Sequence, residues 1–163
     1  MDANQITFRP IGIIHTPFKE RKDMPIQPMG GKGIKATIEV FPEFAEGLKD
    51  LDKFSYIVLI FNFHLSVEYN LLVKPFMEDE IRGVFATRAP RRPNQIGMSI
   101  VKLNKIEKNI LHISNIDIVD GTPLLDIKPY VPMVDSEEEI KVGWLENKVK
   151  NFRTKNSDDR FIK

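Results

Sequence analysis

The sequence predicts a mainly β protein: a small antiparallel β-barrel with a short helix and a C-terminal helix. Many short apolar stretches are separated by Gly, Pro, Asn and Asp turn signals. The segment Ile34–Val40 alternates cleanly, with Ile34, Ala36, Ile38 and Val40 on one face and Lys35, Thr37 and Glu39 on the other. That is the pattern of a half-buried antiparallel strand. Strict strand–helix alternation is missing, which excludes a doubly wound parallel sheet.

The elements follow in order. Residues 6–14 read as an edge or bulged strand, because Pro10 and Gly12 interrupt it. His15-Thr-Pro-Phe leads through the charged run Lys19–Asp23 into the irregular Met24–Gly33, whose glycines lack the Gly-Lys-Ser/Thr end of a phosphate loop. After Ile34–Val40, Pro42 to Leu51 predicts a short helix with proline near its start. Phe54–Phe63 is the most apolar strand, expected to be central and covered on both faces, and it delivers Asn62 and His64. Residues 66–82 carry mixed signals and read mostly as loop. Gly83–Thr87 opens like a buried strand. Ile96–Ile106 and Ile110–Val119 pair through a turn at Glu107–Asn109, and Leu124–Ile127 is a short strand after the turn Asp120–Pro123. Val142, Leu145, Val149 and Phe152 at helical spacing predict a C-terminal helix within 142–152, and Ser136 with Glu139 would cap an earlier start.

Composition sets the bounds. At 163 residues the chain is read as one domain, 1–163, with its core roughly at 6–152 and a frayed tail at 153–163. The net charge of +1 leaves any nucleic-acid binding to local patches. No cysteine is present, which excludes disulfides, thiolate zinc sites and a cysteine nucleophile. Without a signal-like N-terminus, a cytoplasmic location is the expectation. The longest apolar run, Tyr56–Phe61, is too short to span a bilayer, so no membrane partner is expected.

Two stretches carry candidate chemistry. The loop after Gly83 holds Arg88, Arg91 and Arg92, braced by Pro90 and Pro93. Arg82 stands just before it, and no acid lies between Arg82 and Arg92. An arbitrary Pro/Arg loop is most simply a solubilising surface; this undiluted cluster points instead to anion binding, for which guanidinium groups suit phosphate or carboxylate. The second stretch, Asp117–Tyr130, places aspartates at 117, 120 and 126 with Lys128 and Tyr130. Asp120-Gly121 alone is an ordinary turn pair, but the set is denser than a hairpin needs and suits a cationic or amine-bearing ligand. The three histidines, 15, 64 and 112, lack metal-ligand spacing, so no metal is expected. His64 alone reads most simply as a hydrogen-bonded core residue.

The motifs Gly83-Val-Phe-Ala-Thr-Arg88, Arg92-Pro-Asn-Gln-Ile-Gly-Met-Ser99 and Asp120-Gly-Thr-Pro-Leu-Leu-Asp-Ile-Lys-Pro-Tyr130 occur in this order, with Ile11–Phe18 and Phe61–His64 before them. Together they resemble the signatures of the TrmO/TsaA-like family, over roughly residues 8–150. The resemblance implies a homodimeric β-barrel that binds S-adenosylmethionine and methylates N6 of threonylcarbamoyl-adenosine beside the tRNA anticodon. Carried over by position, the methyl-donor site is Pro25, Ile26, Gln27, His64, Leu65, Arg88, Met98, Asp120, Gly121, Thr122 and Pro123. On this reading Arg88 suits the methionine carboxylate, Asp120 the amino or sulfonium end, and His64, Leu65 and Met98 the adenosine. Arg91, Arg92 and Lys102 are the expected tRNA contacts, on the outer side of the loop. The general base is not singled out; Asp126 and His64 are the candidates. Gln95 stands where the family usually has a second proline. The longer bacterial members carry a further C-terminal domain after the barrel, whereas this sequence stops at Lys163; if that domain helps grip tRNA, the RNA substrate is a weaker expectation than the cofactor. The rival reading is a barrel that binds S-adenosylmethionine or RNA without catalysis.

Overall fold

The computed structural model describes residues 6–20, 22, 24–26, 30–76 and 79–131. Gln27, the capping pair Ser136 and Glu139, the helix expected at 142–152 and the tail lie outside these residues. The described residues form eight strands: β1 (Gly12–His15), β2 (Lys35–Val40), β3 (Tyr56–Asn62), β4 (Leu72–Val73), β5 (Arg82–Gly83), β6 (Ile96–Glu107), β7 (Ile110–Ser114) and β8 (Thr122–Pro129). Six of them close into a barrel in the order β1-β2-β7-β6-β3-β8, with every neighbouring pair antiparallel. Closure satisfies the main-chain donors and acceptors that an open sheet would leave at its edges. The barrel is thus the predicted fold class.

Alternation builds the interior. Ile14, Ala36, Ile38, Val40, Ile57, Leu59, Phe61, Val101, Leu103, Leu111, Ile113 and Leu124 are all buried in one cluster. These are mostly β-branched or Leu side chains at every second position, the filling expected of a narrow barrel. In β3 only the inward residues are fully buried; Val58 and Ile60, facing outward, are half-buried, so the expected cover on both faces is partial.

Four local outcomes differ from the sequence reading. Pro42–Leu48 and Leu51–Lys53 form two 3₁₀ turns rather than one helix, because Asp50 between them takes a left-handed conformation at φ 66°. The strand expected at Gly83–Thr87 ends after two residues and becomes a 3₁₀ turn over Val84–Ala86, leaving Phe85 74% exposed. Its partner β4 makes a small separate hairpin with β5, packed on a second cluster of Val73, Val84 and Ala89. The strand at 110 stops at Ser114, where Asn115 turns at φ 65° and its Oδ1 accepts the Gly33 N–H at 2.9 Å.

In β8, Leu59 pairs with Ile127 and Ile60 with Asp126, but Phe61 pairs with Leu124, so Leu125 is an extra residue at a β-bulge. The bulge lets Leu124 and Ile127 both pack on the core although they lie three positions apart, an odd spacing.

A close approach fixes the β3–β6 pair. Phe61 stands directly opposite Gly97, and a Cβ on Gly97 would fall 2.2 Å from the Phe61 ring. Glycine here is required by contact rather than by backbone angle. Gly97→Ala is therefore expected to lose about 1–3 kcal/mol of stability by overpacking, read from urea unfolding, and Phe61→Leu in the same chain should recover part of the loss.

Candidate functional site

A cavity of about 300 Å³ opens between one mouth of the barrel and the arginine loop. That volume is at the small end of ordinary ligand pockets. Four segments meet there: the end of β3 with Phe61, Phe63, His64, Leu65 and Ser66; the loop residues Thr87, Arg88, Pro90 and Arg92; the start of β6, Ile96–Ser99; and the approach to β8, Asp117–Val119 with Thr122. Met24, Pro25 and Ile26 close one side. The main-chain N–H of Phe63 and the Asn62 Nδ2 both donate to the Gln95 carbonyl, at 2.8 and 3.2 Å, which ties the exit of β3 to the end of the arginine loop.

Of the positions expected to hold the donor, Pro25, Ile26, His64, Leu65, Arg88, Met98 and Thr122 line this cavity. Asp120, Gly121 and Pro123 do not. The Asp120 carboxylate accepts the Thr16 N–H at 2.8 Å and Lys19 Nζ at 2.6 Å, which pins the exit of β1 to the turn before β8. Those two bonds, Lys19 first, hold its carboxyl below the usual carboxylate range. In this arrangement Asp120 is a buttress of the site rather than a wall. The Thr122 hydroxyl donates to the Val119 carbonyl at 2.7 Å, and its oxygen lies 3.4 Å from His64 Nδ1.

The arginines separate. Arg88 lies exposed at the cavity wall. Arg92, expected on the outer side, folds back instead: its Nη1 donates to the carbonyls of Val84 at 3.3 Å, Thr87 at 2.9 Å and Ala89 at 3.3 Å. Proline-rich turns leave carbonyls without main-chain partners, and a guanidinium satisfies several at once. Arg82 is ion-paired with Glu80 at 2.7 Å and does not extend the cluster. Arg91 is half-buried with its carbonyl accepting from Asn70, and Lys102 is exposed on the outward face of β6 opposite Tyr56.

The two candidate bases are placed apart. His64 lines the cavity, whereas Asp126 lines a second hollow at the opposite mouth, among Phe44, Leu51 and Phe54, and pairs with Lys128 at 2.8 Å. Strict alternation would put Asp126 on the same face as Thr122; the bulge at Leu125 reverses it.

Three cavity residues escaped the sequence reading of the site. Asp117 had been noted only as one of three acids, yet it is the acid on the wall. Ser99 Oγ donates to its Oδ1 at 2.7 Å. Protein surrounds the carboxyl, and desolvation pushes its pKa up to about 6 against the opposing pull of Ser99, its own backbone and Arg88. Ser66 lies behind Leu65 with a buried hydroxyl that has no hydrogen-bond partner among the described residues. The inward phase of β6 pointed to Ser99; nothing in the sequence singled out Ser66. Among the described residues no group of three or more His, Cys, Asp or Glu could hold a metal.

Residues 13–136 match the family model described as the tRNA-methyltransferase O N-terminal domain. A probable S-adenosyl-L-methionine-binding protein of Pyrococcus abyssi is 57% identical over 157 residues, 96% of this chain and 85% of that protein. A mouse protein named tRNA (adenine(37)-N6)-methyltransferase is 34% identical over 149 residues, 87% of this chain but 35% of its own length. The crystal structure of TrmO from Pseudomonas aeruginosa superposes with a TM-score of 0.71 at 39% identity, over 86% of this chain and 62% of that one.

Two stability measurements follow from the site. Arg92→Ala leaves the carbonyls of Val84, Thr87 and Ala89 without this donor, and is expected to lose about 1–3 kcal/mol in urea unfolding. Asp117 binds its proton more tightly folded than unfolded, so a folding penalty builds up as pH rises from the ordinary value of 3.8 and is complete above about 6. Asp117→Asn should thus be more stable than the native protein at pH 7.5, by on the order of 2–3 kcal/mol. That gain should disappear as pH is lowered through this interval.

Proposed function

The chain belongs to the tRNA-methyltransferase O family, and from that membership we propose that it transfers a methyl group from S-adenosylmethionine to N6 of adenosine beside the tRNA anticodon. The acceptor we infer is the threonylcarbamoyl form of that adenosine. The observation that carries the reading is the cavity: an apolar trough of Phe61, Phe63, Leu65 and Met98 with Arg88 and Asp117 at its polar end. Such a lining fits a nucleoside joined to a zwitterionic amino acid that also bears a positive charge. The unpartnered buried Ser66 hydroxyl supports it, since a buried polar group without a partner costs roughly 1–3 kcal/mol until a ligand supplies one.

Arg88 would take the donor's carboxylate and the apolar walls its adenosine; the methyl group is carried on a sulfonium, whose charge favours its departure. Most of the acceleration then falls to alignment, which supplies up to about 7–11 kcal/mol in favourable cases. Arg91 and Lys102 would meet tRNA phosphates. A homodimer fits the apolar side chains outside the barrel: Val67, Leu72 and Phe85 are 90%, 67% and 74% exposed. A cytoplasmic location is consistent with a tRNA substrate, and no helix among the described residues is long and apolar enough to cross a membrane.

The test is mass spectrometry of nucleosides after the protein, the donor and threonylcarbamoylated tRNA are incubated together. A gain of one methyl on the modified adenosine is expected; bound donor without transfer would leave a binding module instead. Arg88→Ala should weaken donor affinity by about ten-fold or more in calorimetry, the loss of a charge-assisted pair. Arg91→Ala should instead weaken tRNA binding and reduce its salt slope by about one.

A further inference from the structure

We propose that Asp117 takes the proton that leaves the acceptor nitrogen, with Ser99 as the positioning residue that holds its carboxylate toward the cavity. The inference rests on the methyl-transfer reading above. An adenosine N6 that also bears a carbonyl group has its lone pair delocalised, and it becomes a nucleophile when its proton is removed. In the balanced step, the N–H bond breaks and its proton passes to an Asp117 oxygen. The freed pair forms the N–C bond, while the pair of the breaking C–S bond stays on sulfur as a neutral thioether. The carboxylic acid so formed returns its proton to water as product leaves.

Position selects Asp117. It is the only carboxylate on the cavity wall among the described residues. Asp120 is committed to Thr16 and Lys19, and Asp126 lies at the opposite mouth with Lys128. The other titratable or charged groups on the wall are His64 from the exit of β3, with Arg88 and Arg92 from the arginine loop. His64 stands beside Thr122, its Nδ1 3.4 Å from that hydroxyl oxygen; the selection of Asp117 is thus among the carboxylates. Arg92 is held by three loop carbonyls, and the charge of Arg88 favours the ionised form of Asp117.

Geometry and basicity then agree. Ser99 projects inward from β6, directly opposite Leu59 in the central strand, and its hydroxyl is the one side-chain donor to the carboxylate among the described residues. The carboxylate lines the cavity that the acceptor would enter. Burial makes this carboxylate a stronger base than an exposed one while leaving it mostly ionised at neutral pH, the compromise a general base requires.

The experiment compares the native protein, Asp117→Asn and Ser99→Ala in single-turnover methyl transfer from pH 5 to 9. Donor affinity is measured by calorimetry, and the Asp117 carboxyl is titrated by carbon-13 NMR without ligands. The native rate should rise along a limb centred near pH 6, matching the carboxyl titration. Asp117→Asn should lose about 10²-fold or more and lose the limb, with donor affinity kept. Ser99→Ala, lacking the bond that favours the ionised form, should move both limb and carboxyl titration to higher pH and recover most activity on the alkaline side. A native-like rate and limb in Asp117→Asn would overturn the proposal, and so would loss of its donor binding, which would make the carboxylate a donor contact. Native protein that binds donor but methylates no adenosine would remove the parent reading and this one together.

Discussion

The Phe61 ring rests on the bare backbone of Gly97, and the cavity owes its position to that contact. Phe61 is the last inward side chain of β3, the strand gripped by β6 on one side and β8 on the other. With hydrogen in place of a side chain at Gly97, the ring closes the top of the core and its far surface becomes the floor of the site. The same register places Ser99 of β6 opposite Leu59 and Leu124 of β8 opposite Phe61, with Thr122 beyond it toward the mouth. Filling of the core and shaping of the site are thus one packing event.

A closed barrel offers chemistry at only two places, its mouths, because its interior is filled. Here the mouths differ. One carries the arginine loop, the exit of β3 and a carboxyl whose charged form burial disfavours. The other is a shallow apolar hollow beneath the 3₁₀ turns, with Asp126 neutralised by Lys128. Lowering the carboxyl of Asp120 by two hydrogen bonds and raising that of Asp117 by burial gives neighbouring aspartates opposite tasks, one structural and the other reactive. The unfavourable ionisation at Asp117 is the kind of local cost that a folded barrel with a continuous core tolerates.

Much of this was legible in the sequence, and the failures share a cause. Ile34–Val40 announced its strand because period-two alternation is a local property. Phe54–Phe63 announced a strand through sheer apolarity, and His64, Arg88 and Met98, expected at the methyl donor, line one cavity. What misled were positions decided by partners distant in sequence. Arg92 reads as a free cation until the carbonyls of Val84, Thr87 and Ala89 are seen to need a donor. Asp120 reads as an unengaged turn carboxylate until Thr16 and Lys19 are seen to donate to it. The residues 83–87 look like a buried strand, but their register belongs to a two-residue hairpin and not to the barrel.

The bulge at Leu125 has a bearing on how relatives of this chain are compared. One extra residue re-phases β8, so Thr122 and Leu124 are read in one frame and Ile127 in the other. A single-residue gap on either side of that point exchanges inside for outside along half the strand, while barely changing the score of an alignment. Matching aspartates by sequence column across such a gap would equate groups that face opposite ends of the molecule. The reliable anchor is the pairing of Phe61 with Leu124 on one side and of Leu59 with Ile127 on the other. An alignment that keeps both pairs carries the geometry with it.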